Sequence, residues 1–271
     1  MTKVYFVMCV LNILLICCRQ SIGNLITSNS SVVVETDFGG GGKELHEKKL
    51  QTPEELAYAA LIKSFNNFKA LYNYMPKEFD DPLFGDINKE FQVIYNNMDH
   101  KNPIYALFKG DVATLSNLKE IIMKFNTIVE YDTSIVGDKL IDRLGLLVFN
   151  VVFTIIDKDN GVFKNANLLK LKSSKDVEGL NKLTNMLDNL CVKWNALVVV
   201  VSDIINEAAK LDNRNDVIKK IRQFYDLNLN DPCQKCGDGD KLCILKNEFL
   251  NLYLRIVNQA KQLVHNVDSI A

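Results

Sequence analysis

Ten apolar residues recur three and four apart without a miss: Leu180, Leu183, Leu187, Leu190, Trp194, Leu197, Val201, Ile204, Ala208 and Leu211. Only an α-helix places such positions on one stripe, and a stripe of this length has to be buried against other helices. Trp194 lies on the stripe and reads as core. The rest of the chain then reads as packing partners. The expected class is all-α: one bundle of about seven helices, with long antiparallel helices in the C-terminal half.

The N-terminus bears on the compartment. Lys3 precedes an apolar run from Val4 to Cys18, broken only by Asn12, and the small residues Ser21 and Gly23 follow. That is the layout of a secretory signal peptide over residues 1–23, with a mature chain from Asn24. The run is shorter than the ~20 residues that span a bilayer. Residues 24–51 read as a flexible leader, with a Ser/Asn cluster and four consecutive glycines, Gly39 to Gly42. Asn29-Ser30-Ser31 is an acceptor triplet for N-glycosylation within it. Of 32 basic residues, removal of Lys3 and Arg19 leaves 30 against 33 acidic ones, so the mature chain is near −3. That balance argues against a nucleic-acid partner. No second apolar stretch is long enough for a membrane span. No apolar tail follows Asp268, so the expectation is a secreted product without a membrane anchor.

A single helical domain is expected over residues 52–271. Thr52, Pro53 and Glu55 form a capping box ahead of Leu61, Phe65, Phe68, Tyr72 and Met75. A second helix is expected from Asp81-Pro82 to Met98, and a short segment from Asn102-Pro103 to Phe108. After Gly110-Asp111, a third stripe comprises Val112, Leu115, Leu118, Ile122, Phe125 and Val129. Residues 138–156 read as a helix whose part from Leu144 to Ile156 is apolar nearly all round and so enclosed by the others, with a buried strand as the minor alternative given Val148, Val151, Val152, Ile155 and Ile156. Asp157 to Gly161 reads as a turn-rich close, followed by a link through Ser174 with a weak apolar hint at Leu168, Leu169 and Leu171. The long helix is expected from about Lys175 to Leu211, a shorter one from about Asn215 to Asn228, and the last from near Asp240. The last stripe runs through Leu242, Leu245, Phe249, Leu252, Ile256, Ala260, Leu263 and Val267.

Seven cysteines, less Cys9, Cys17 and Cys18 of the signal, leave Cys191, Cys233, Cys236 and Cys243. An even number in an exported chain favours disulfides. The long helix climbs roughly 30 Å from Cys191 to Leu211, and the next helix descends roughly 20 Å. The cysteine loop should return near the level of Cys191. The preferred pairing is Cys191 with Cys233 and Cys236 with Cys243. Cys233-Gln234-Lys235-Cys236 has redox spacing, yet it follows a proline in a loop rather than opening a helix of a βαβ unit. A zinc site is disfavoured by the solitary Cys191. Asp238-Gly239-Asp240 lacks the remainder of a calcium loop and reads as a helix cap.

Catalytic parts are missing. His46, His100 and His265 are spaced with no partner ligand or nucleophile, and the glycine run lacks the context of a phosphate loop. No enzyme activity and no cofactor or metal is expected.

The leader MTKVYFVMCVLNILLICC, the low-complexity spacer and the Asn/Lys-rich stretches PEELAYAALIKSFNNFKALYNYMPKEFDDPLF and LSNLKEIIMKFNTIVEY together form a pattern. It resembles the secreted and merozoite surface antigens of piroplasm (Babesia-type) blood parasites. The resemblance is one of composition and segment order over the whole chain. It departs from the anchored members in having no C-terminal apolar tail. It implies exposure to the host, antibody recognition and attachment to a host cell surface or host protein. It carries over no site residue. The expected function is that of a non-enzymatic surface binder. The alternative is a small-molecule or lipid carrier with a cavity lined by Phe149, Val152 and Phe153.

Overall fold

The computed structural model describes residues 51–72, 104, 107–109, 111–126, 134–157 and 159–269. Among them are seven helices and no strand. They are α1 (Pro53–Tyr72), α2 (Val112–Asn126), α3 (Ser134–Ile156), α4 (Asn165–Ser173), α5 (Val177–Ala209), α6 (Arg214–Tyr225) and α7 (Lys241–Asp268). The all-α class is therefore established. The expected signal, the leader with Asn29, and the helix at 81–98 lie outside the described residues.

Helix starts follow local chemistry. The Thr52 hydroxyl accepts from the Glu55 N–H at 3.2 Å, and Glu55 Oε2 accepts from the Thr52 N–H at 2.9 Å. This is the reciprocal box read from the sequence. Thr52→Ala is expected to destabilise the fold by about 1 kcal/mol, measured by urea denaturation, with far-UV circular dichroism unchanged in native buffer. Asp176, Asn213 and Asp240 cap α5, α6 and α7 by accepting from Gly179, Asn215 and Cys243 N–H groups.

The long stripe buries as its spacing demands. Leu180 through Ala208 of the ten stripe positions are all in the core, and Leu211, just past the helix, is half-buried. Trp194 sits at the middle, with ring contacts to Phe68 of α1 and Phe249 of α7, each at 6.0 Å between centroids. Lys193 pairs with Glu248 at 2.6 Å. At the far end, a Cβ on Gly179 would come within 2.6 Å of Leu263 Cδ2. Rising numbers on α5 thus meet falling numbers on α7, and the two run antiparallel over their length. The absent side chain at Gly179 admits both Leu263 and the Asp176 cap. α2 runs in the same sense as α5. Asn117 Nδ2 donates to Asn206 Oδ1 at 2.8 Å, and Lys124 Nζ donates to the Ala209 carbonyl at 3.1 Å.

Three departures from the sequence reading have physical causes. The link at 157–174 contains α4, with Val162, Phe163 and Leu171 buried and the ring of Phe65 tilted against that of Phe163, 4.8 Å between centroids. Its amphipathic face is a single residue wide, so periodicity hardly registers. Val112 is exposed, because it is the first residue of α2 and precedes the turn that packs. On α7, Leu245, Leu252 and Val267 are half-buried, whereas Cys243, Lys246 and Leu250 are in the core. The buried stripe is thus rotated relative to the apolar one. Among the described residues, no helix is long and apolar enough to cross a membrane.

Candidate functional site

The cysteine loop lies flat along α7. Asn251 Nδ2 donates to the Pro232 carbonyl at 2.9 Å, and Asn247 Nδ2 donates to the Gln234 carbonyl at 2.7 Å. Cys236 is bonded to Cys243, with Cα atoms 5.7 Å apart. Residues 243, 247 and 251 are four apart and share one face. The loop from Pro232 to Cys236, a turn followed by three residues without regular structure, runs beside this face. Gln234 closes the loop from the other side, accepting from the Asn228 N–H and donating to the Asp226 carbonyl.

Lys246 is the polar centre of this arrangement. Its side chain is 1% exposed, and its ammonium donates to the carbonyls of Asn228 at 3.0 Å and Asp231 at 2.7 Å. Desolvation holds its pKa below the usual lysine value, opposed by Asp231, Asp240 and Cys233. The sequence carried a signal for this residue. Positions three and four on either side of Lys246 are Leu242, Cys243, Phe249 and Leu250, all of them core residues. A lysine at that register faces inward.

One expected disulfide is formed, and the other requires correction. Cys191 is not joined to Cys233: Cys233 is an exposed thiol, and Cys191 is half-buried on α5. The level was right. Lys193 meets Glu248 and Trp194 meets Phe249, so Cys191 is level with residue 251, against which Pro232 is held. The direction was wrong. Of the α5 residues that meet α7, Lys193 is about 160° around the helix from Cys191 and Trp194 about 60°, so Cys191 lies to one side of the surface that faces α7. One turn above it, Asn195 accepts from Lys109, on the side of the α2 connection. Alkylation of the native protein is expected to label Cys233 first. A non-reduced digest should contain Cys236 joined to Cys243, and Cys236→Ala should cost about 2 kcal/mol.

A groove lies beside the loop, between the C-terminal half of α5, α6 and the corner at Asp238–Leu242; it encloses about 510 Å³. Its floor is Val199, Val200, Ile204 and Leu242, of which Val199 is 44% exposed. Its rim carries Asp203, Glu207, Asp238 and Asp240 against Lys220 and Lys241. Glu207 pairs with Lys220, which holds the Glu207 carboxyl below its ordinary pKa. Asp240 is engaged by the Cys243 N–H as the cap of α7. Asp203 and Asp238 have no ion pair among the described residues. Gly239, at φ +77°, makes the turn that sets Asp238 on the rim.

Other sequence candidates are dispersed. His265 is exposed on α7, and His46 and His100 lie outside the described residues. Among the described residues, no group of three or more His, Cys, Asp or Glu could hold a metal ion. The trio named for a carrier cavity divides. Val152 is in the core, while Phe153 is 44% exposed and stacks on Phe149 at 5.7 Å. No protein-family model matches the chain, and no curated protein or solved structure is significantly similar to it.

Proposed function

We propose that this chain is an exported, non-enzymatic helical protein that acts by surface contact with a host cell or host protein, in the manner of a piroplasm surface antigen. The observation that carries the reading is the groove beside the cysteine loop. It is open, it has an apolar floor with Val199 exposed, and two of its carboxylates, Asp203 and Asp238, have no ion pair among the described residues. Nearby polar groups are already engaged in holding structure: Lys246, Asn247 and Asn251 fix the loop, and Asp240 caps α7. An exposed apolar surface rimmed by charge is characteristic of contact sites. The signal-peptide pattern at residues 1–23 and the Cys236–Cys243 bond support export, since disulfides persist in oxidising compartments.

Incubation of the mature chain with erythrocytes and with host serum and membrane proteins, followed by pull-down, tests the reading. Saturable binding at micromolar protein is expected. Absence of binding in every fraction at that concentration would overturn it.

A further inference from the structure

We infer that the groove between α5, α6 and the Asp238–Leu242 corner docks a short basic–apolar segment of a protein partner. The inference rests on the surface-contact reading and names the chemistry of the segment that would be bound. Once the Glu207–Lys220 pair is set aside and Asp240 is assigned to its cap, the rim retains Asp203 and Asp238 against Lys241. The uncompensated charge is negative, and both carboxylates are exposed. An arginine or lysine reaching each of them gains charge-assisted hydrogen bonds at little desolvation cost. The floor takes the intervening side chain. Val199 and Val200 are on α5, and Leu242 lies beneath on α7. A β-branched or leucine side chain flanked by cations suits this lining: the apolar residue faces the floor, and the long cationic side chains on the peptide's other face bend over to the rim. The space, about 510 Å³, lies within the range of sites for small ligands and accommodates a few peptide residues. An acidic segment would meet Asp203 and Asp238 without compensation, so the groove discriminates by repulsion as well as by fit.

The test uses the full mature chain and a probe peptide, acetyl-Arg-Val-Arg-Val-Arg-amide, titrated while backbone amide NMR signals are recorded. Shifts concentrated at Val199, Val200, Asp203 and Gly239 are expected. Affinity should fall at least tenfold in D203K/D238K, and several-fold between low and physiological salt. Both substituted positions are exposed, so the fold should survive, which the unchanged remainder of the spectrum would verify. Shifts elsewhere, equal affinity for the glutamate counterpart of the peptide, equal affinity for spermine, or an unaltered D203K/D238K variant would each overturn the inference. The two readings fail separately. If the mature chain binds host cells and D203K/D238K binds them equally, the groove assignment falls and the surface-contact reading stands. If the peptide seats in the groove and no host fraction binds, the surface-contact reading falls and the groove assignment stands.

Discussion

Trp194→Ala is expected to lower the unfolding free energy by about 3–5 kcal/mol, and the thermal midpoint by on the order of 10 °C. Trp194 is fully buried and touches rings on both neighbouring long helices, so truncation opens a void that α1, α5 and α7 share. Trp194→Phe should cost much less. The indole N–H has no hydrogen-bond acceptor among the described residues, and phenylalanine removes that donor while keeping a ring between Phe68 and Phe249. Urea titration followed by far-UV circular dichroism measures both, because the variants lack the only tryptophan. A Trp194→Ala protein as stable as the parent would show that the three helices do not meet there.

Lys246→Met carries the second large effect, about 2–4 kcal/mol. Methionine matches the stem of the lysine and removes the ammonium, leaving the Asn228 and Asp231 carbonyls without their donor. Hydrogen exchange should rise in residues 226–236, while α5 remains protected. The pH dependence has a defined sign. Burial lowers the Lys246 pKa in the folded state, so between that value and the unfolded value near 10.5 the unfolded chain binds more protons. The parent should therefore gain stability as pH rises towards 10.5, and Lys246→Met should lack that increment. Equal slopes for the two proteins would contradict the assignment.

The framework was legible because its signals are long. The stripe from Leu180 to Ala208 covers eight turns, and a pattern of that length admits no other secondary structure. Thr52 and Glu55, and likewise Asp240, announced helix starts through side-chain chemistry that acts within three residues. The candidate site was less legible. Lys246, Asn247 and Asn251 look like solvated surface when each is taken alone; the depth of the neighbouring core positions turns Lys246 inward, while Asn247 is half-buried and Asn251 exposed beneath the loop. The groove joins α5, α6 and a loop that are distant in sequence, and no local pattern encodes that meeting. The failed Cys191–Cys233 pairing has the same origin. Rise per residue gave the level along the axis, but the rotation of Cys191 depends on which side of α5 faces α7, and that is fixed by tertiary packing.

The claim that α5 is the shared axis of a closed helical body is tested most directly by nuclear Overhauser effects from the Trp194 indole. Cross-peaks to the rings of both Phe68 and Phe249, together with blue-shifted tryptophan emission, are the expected result. Cross-peaks to neither ring, with emission typical of a solvated indole, would contradict it.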